Sequence, residues 1–178
     1  MDVVALQEMR WSGNGRIDKR KYSIFYSGPD TRTGQCGTGF IINSKMKQSY
    51  LGFESLGDRM CKIRLRGRCR NVSIISAYTP TKEASDDEKI TFYDRLDREC
   101  SKISRYDVLI LLGDFNAKIG REDFLQHVAG KQSLHANTNT NGKMLSQLAE
   151  SNELIIKSTC FEKKDIYKET ENAGYRSD

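Results

Sequence analysis

Val108-Leu109-Ile110-Leu111-Leu112-Gly113-Asp114-Phe115-Asn116 is the stretch on which the reading of this chain turns. Its five aliphatic residues have the length of a strand, and the run leads straight into an acid and an amide two positions apart. Period-two alternation predicts that Asp114 and Asn116 lie on the same side. A carboxylate there can hold a divalent cation or orient a water, and the amide can donate to a phosphate oxygen, a division of labour suited to phosphodiester hydrolysis. Asp and Asn are equally common as turn residues at strand ends, so the rest of the chain has to decide.

Upstream, short apolar runs alternate with turn signals. Residues 3–6 read as a buried strand that ends at Gln7 and Glu8. Residues 22–26 and 38–42 make a hairpin around the turn-rich segment 28–37. Residues 60–65 and 72–77 make a second pair, with Gly67 in the turn between them. After Pro80 the pattern changes. Ser85 followed by Asp86, Asp87 and Glu88 predicts a helix start with acids at the positive end of the dipole, and Ile90, Tyr93, Leu96 and Cys100 recur at helical spacing behind it. A short helix over 142–150 turns Met144, Leu145 and Leu148 inward, and 154–156 returns to strand. Strands outnumber helices and the helices fall late, which predicts an α+β layered fold of sheets covered by helices. Residues 1–162 are expected to form one domain; the charged segment 163–178, poor in large aliphatics, is expected to be a loose tail.

Composition narrows the classes. The chain has 178 residues with 37% hydrophobic and 30% charged residues and two prolines, an ordinary globular balance. The aliphatic run at 108–112 is too short to cross a bilayer, and the first residues do not resemble a secretory leader, so an intracellular, nuclear or cytoplasmic setting is expected. The five cysteines, Cys36, Cys61, Cys69, Cys100 and Cys160, contain no CxxC pair, which argues against a zinc site; Cys61 reads as core. A net charge of +5 favours an anionic partner without requiring one.

Several motifs then fall in one order. Leu112-Gly113-Asp114-Phe115-Asn116 resembles the GDFN signature of the endonuclease/exonuclease/phosphatase superfamily, and Ala5-Leu6-Gln7-Glu8 resembles its LQE motif. Ala77-Tyr78-Thr79-Pro80 resembles its YxP motif, and Gly37-Thr38-Gly39-Phe40 its GxGF hairpin. Arg10-Trp11-Ser12-Gly13-Asn14-Gly15 is similar to the non-LTR retrotransposon-type endonucleases and their craniofacial development protein 2-like relatives. The resemblance implies a four-layered αββα sandwich of the DNase I type and a Mg2+-dependent (or Mn2+-dependent) cut of a DNA strand. It implies Glu8 as the metal ligand, Asp114 as the group that orients or activates water, and Asn116 and Tyr78 as stabilisers of charge on phosphate oxygens.

Read one at a time, these residues have plainer roles. Glu8 suits a solvated acid at a strand end, Tyr78 a ring over the sheet edge with its hydroxyl in water, and Trp11 a core residue. Read together, Glu8, Asp114 and Asn116 favour function. The alternating cations Lys62, Arg64 and Arg66 read as the solvated face of an outer strand rather than as a site, and His127 and His135 as loop residues. The family pattern continues with a QID acid and an SDH general-base histidine, for which residues 171–178 offer only a superficial match at Ser177-Asp178. The resemblance therefore implies a sandwich with strands missing at both ends, exposed edges, and an inactive or weakly active nuclease. The alternative is a domesticated remnant that binds protein or nucleic acid.

Overall fold

The computed structural model describes residues 2–31 and 34–162; the expected tail at 163–178, with Ser177 and Asp178, lies outside them. The chain divides into two compact units, Met1–Phe115 and Asn116–Asp178.

The first unit holds two four-stranded sheets and a helix. In one sheet the order is β1 (Val3–Gln7), β4 (Thr38–Asn43), β3 (Tyr22–Ser27) and β2 (Asn14–Asp18), antiparallel throughout. In the other it is β5 (Tyr50–Ser55), β6 (Met60–Leu65), β7 (Val72–Tyr78) and β8 (Val108–Asp114), with β7 and β8 parallel. The fold is thus α+β with two sheets and few helices, as expected. Both expected hairpin pairs are antiparallel neighbours. Strands β2 and β5 had no clear sequence signal, because Asn14–Asp18 carries one large apolar residue and Tyr50–Ser55 is broken by Gly52.

The core lies between the sheets. Phe25, Phe40 and Ile42 meet Cys61, Ile63, Leu65 and Ile74, all buried, and the Phe25 ring stacks on Tyr50 at 4.9 Å. Alternation sends Ile75 and Ala77 to the opposite face of β7, where both are also fully buried. Strand β7 is therefore the interior strand that carries Tyr78 to its end. Polar ties join the sheets near that end: Ser27 Oγ lies 2.6 Å from Ser55 Oγ, and Gln7 Nε2 donates to Ser76 Oγ at 3.2 Å.

Helix α1 (Asp86–Ser101) starts as predicted. Ser85 Oγ accepts from the Glu88 amide at 3.2 Å and the Glu88 carboxylate accepts from the Ser85 amide at 3.3 Å, a complete capping box. Its buried face is formed by Lys89, Phe92, Tyr93, Leu96, Glu99 and Cys100, whereas Ile90, expected inward, is 47% exposed. The stripe is rotated because Lys89 can be buried: its ammonium donates to the Lys82 carbonyl at 2.9 Å.

Strand β1, expected to be buried, is half-buried along its length. The aliphatic run of β8 is a strand as expected, with Val108, Ile110 and Leu112 each exposed by more than a third. A run of aliphatics signals a strand; whether both faces are covered depends on neighbours, and among the described residues β8 is a sheet edge. The strand expected at 154–156 is a single bridge, Ala129 to Ile156, followed by a 3-10 turn, too short a run to recruit a partner strand.

In the second unit α2 (Thr140–Ser151) buries Leu145 and Leu148, with Met144 half-buried. Its cap, Asn139, accepts from the amides of Gly142 at 2.8 Å and Lys118 at 2.9 Å and donates to the Asn116 carbonyl at 3.0 Å. One side chain thereby caps the helix and fastens the segment that opens the unit. Among the described residues no helix is long and apolar enough to cross a membrane.

Candidate active site

Three of the four predicted site residues stand at the C-terminal ends of strands in the first unit. Glu8 follows the last residue of β1, Tyr78 ends β7, and Asp114 ends β8. The parallel register pairs Tyr78 with Asp114, and the Thr79 amide donates to the Asp114 carbonyl at 3.0 Å. This convergence requires Gly113. Its φ is +148°, and a Cβ there would sit 1.8 Å from the Ala77 carbonyl oxygen, so a side chain would push β8 off β7.

Glu8 and Tyr78 are in direct contact: the phenol donates to Glu8 Oε1 at 2.6 Å. The plain reading of Tyr78, with its hydroxyl in water, is thus corrected; the carboxylate is a better acceptor and lies in reach. Arg10 donates to the other oxygen, Oε2, at 3.2 Å. Together the Tyr78 phenol and then Arg10 hold the Glu8 carboxyl below its ordinary range, while the Glu8 carboxylate, assisted by burial, pushes the Tyr78 hydroxyl up to about 12. The pair is therefore a carboxylate and a neutral phenol. With its side chain 49% exposed, Glu8 remains open to solvent.

The turn that carries Glu8 is built rather than free. Glu8 and Arg10 take positive φ values of 52° and 58°, an uncommon backbone state for such residues. The Met9 amide donates to Gly37 O at 3.1 Å, the Arg10 amide to Cys36 O at 2.9 Å, and the Gly37 amide to Asp58 O at 2.8 Å. Three loops are thereby stitched around the carboxylate.

Sequence reasoning missed Arg59. Its guanidinium lies 5.3 Å from the Tyr78 ring centroid, and its carbonyl accepts from the Tyr78 amide at 2.9 Å. One terminal nitrogen, Nη1, is buried without a hydrogen-bond partner among the described residues. A charged donor left so is expensive. The sequence offered no signal beyond the Gly57-Asp58 turn before it.

Asn116 belongs to the second unit. Strand β8 stops at Asp114, so the alternation that was to place Asp114 and Asn116 on one side does not reach Asn116, whose φ is +45°. Its carbonyl accepts from Asn139 and Asn141, at 3.0 and 3.3 Å. His127 and His135 are loop residues in that unit, as expected, and His127 Nε2 lies 3.2 Å from Glu150 Oε1. Trp11, expected in the core, is 42% exposed. The cation stripe lies on the more exposed face, as expected, but β6 is an interior strand of its sheet and not an outer one; Lys62 pairs with Glu54 at 2.7 Å and Arg64 with Asp107 at 2.7 Å.

A family model described as the Endonuclease/Exonuclease/phosphatase family matches residues 1–148. The chain belongs to the endonuclease/exonuclease/phosphatase family. Craniofacial development protein 2 of Bos taurus is 28% identical over 162 residues, 91% of this chain and 27% of that protein. Its counterpart in Tragulus javanicus is 28% identical over the same share of this chain and 28% of its own length. The chain thus spans little more than a quarter of these relatives. Two solved structures share the fold. An AP endonuclease from Leishmania major aligns with a TM-score of 0.57 at 12% identity, over 85% of this chain and 57% of that one. The endonuclease domain of TRAS1, a telomere-specific non-LTR retrotransposon, aligns with a TM-score of 0.51 at 14% identity, over 75% of this chain and 54% of that one. Both place the two sheets in the DNase I-like fold. The family is generally dependent on divalent metals.

Proposed function

We propose that this chain is a divalent-metal-dependent phosphodiesterase domain of the non-LTR retrotransposon type that nicks DNA. The observation that carries the reading is the Glu8–Tyr78 pair, joined at 2.6 Å, at the same strand ends as Asp114. The donor set suits Mg2+ or Mn2+: carboxylate oxygens are hard ligands, and Mg2+ commonly takes one or two protein carboxylates and keeps waters for the remainder. Glu8, half exposed and ionised, would hold it. When bound, the cation polarises a phosphoryl oxygen and stabilises the leaving oxygen. Tyr78, a neutral phenol, can turn its proton to a phosphate oxygen, and the Arg59 guanidinium lies beside its ring. Asp114 orients the attacking water. Asn116 is assigned as an amide donor to phosphate on its motif position alone. An intracellular, nuclear or cytoplasmic setting fits a DNA substrate and cysteines that are free where described.

A second reading, a remnant that binds protein or nucleic acid without cutting, is favoured by two observations. Among the described residues no group of three or more His, Cys, Asp or Glu is placed to hold a metal. The chain's two histidines, His127 and His135, both follow residue 115, so the first unit contains no imidazole base, and a positioned base typically contributes ~10² to 10⁴-fold.

Nicking of supercoiled plasmid separates the readings. Slow nicking that needs Mg2+ and disappears in Asp114→Ala and Glu8→Gln supports the nuclease. No nicking from a demonstrably folded chain overturns it and leaves the binding module.

A further inference from the structure

Trp11 is the chain's single tryptophan, and it sits in a segment that the phosphodiesterase chemistry above does not use. The ring is 42% exposed, yet it is held firmly. Its edge-to-face contact with Tyr26 has centroids 5.3 Å apart and planes at 83°. Behind it the backbone is fastened: the Gly28 amide donates to Gly13 O at 2.8 Å, and the Gly13 amide to Pro29 O at 2.8 Å. The Trp11 carbonyl packs so closely on Gly28 that a Cβ there would meet it at 1.9 Å. On the other side the Arg10 amide is tied to Cys36 O at 2.9 Å. A large apolar ring is thus kept in water in a fixed pose, which loses little entropy when something stacks on it.

The surroundings say what that something is. Arg10, Ser12 and Asn14, which flank the ring along the chain, are exposed and polar, so along the chain the ring is bordered by polar groups and not by the apolar residues that extend a protein interface. One aromatic beside a cation is instead the arrangement that receives a nucleobase. Two residues separate Trp11 from Glu8, so three Cα–Cα steps keep their Cα atoms within about 11 Å, or about three nucleotides at roughly 3.4 Å each. We propose that Trp11 stacks on an unpaired or extruded base of a nucleic-acid strand within about three nucleotides of the phosphate held at Glu8. The proposal rests on the nuclease reading for the position of that phosphate, but not for the stacking itself.

Because Trp11 is the only indole, its fluorescence reports the contact directly. The full chain is titrated in EDTA, where no cutting occurs, with a short single-stranded DNA and with an abasic oligomer of equal length and charge. Saturable quenching by the base-bearing strand but not by the abasic one is expected. Trp11→Ala should weaken binding of the base-bearing strand about 10-fold and leave the abasic strand unaffected, and Trp11→Phe, which keeps the edge contact with Tyr26, should recover most of the loss. Unchanged emission together with wild-type affinity of Trp11→Ala for the base-bearing strand overturns the proposal, even if the plasmid is nicked. Base-dependent quenching without nicking sustains the stacking and discards the nuclease.

Discussion

At the foot of β8, Asp107 is 8% exposed and accepts from Arg64 at 2.7 and 2.9 Å and from the Ser73 hydroxyl at 2.8 Å. It joins β6, β7 and the start of β8 through one carboxylate. Arg64, as the leading cause, holds the Asp107 carboxyl below its ordinary range. The sign follows directly: a carboxyl depressed in the folded chain contributes stability above its unfolded pKa of about 3.9, and that contribution is lost as pH falls through the folded value. Asp107→Ala should destabilise the chain by about 2 kcal/mol at neutral pH, the cost of leaving buried partners unmade. Chemical denaturation at a series of pH values should show the gap between wild type and Asp107→Ala closing as the solution is acidified below about pH 4. A gap that is constant with pH would mean that packing rather than ionisation sets the loss.

Elements were legible where a local signal and its tertiary use coincide. The capping box at Ser85 and Glu88 is written in adjacent residues, and it formed; Ser85→Ala should lower thermal stability by about 1 kcal/mol, readable as a fall in the helix-monitored melting temperature, whereas Ile90→Ala on the exposed face should leave that temperature nearly unchanged. The strands carrying Glu8, Tyr78 and Asp114 were legible because each motif sits at the end of an apolar run. What escaped depends on partners distant in sequence. Strand β2 exists because Ile17 and Arg16 pair with Ile24 and Phe25, and nothing within Asn14–Asp18 reveals that. Arg59 gains its meaning from Tyr78, and Trp11 from the backbone of residues 13, 28 and 36; a sequence window contains neither. Alternation does not extend to Asn116, because it holds only while the strand lasts.

For the whole molecule, the feature with the widest consequence is the outer edge of the second sheet. Among the described residues β8 has β7 as its one strand neighbour, and Val108, Ile110 and Leu112 expose a row of aliphatic side chains at 43, 37 and 36%. An unpaired edge with an apolar face is a template for a second copy. Opposing it is the net charge of +5, which keeps copies apart by a repulsion that salt screens. Sedimentation should therefore show self-association that rises with protein concentration and with ionic strength. Replacing Val108, Ile110 and Leu112 together by threonine keeps strand propensity while removing apolar area, and should return the chain to a monomer without loss of secondary structure. Association that instead weakens with salt would point to charge pairing or to bound nucleic acid bridging the copies, since phosphate contacts weaken as counterions are added. A nuclease treatment that abolished the association would then decide between those two.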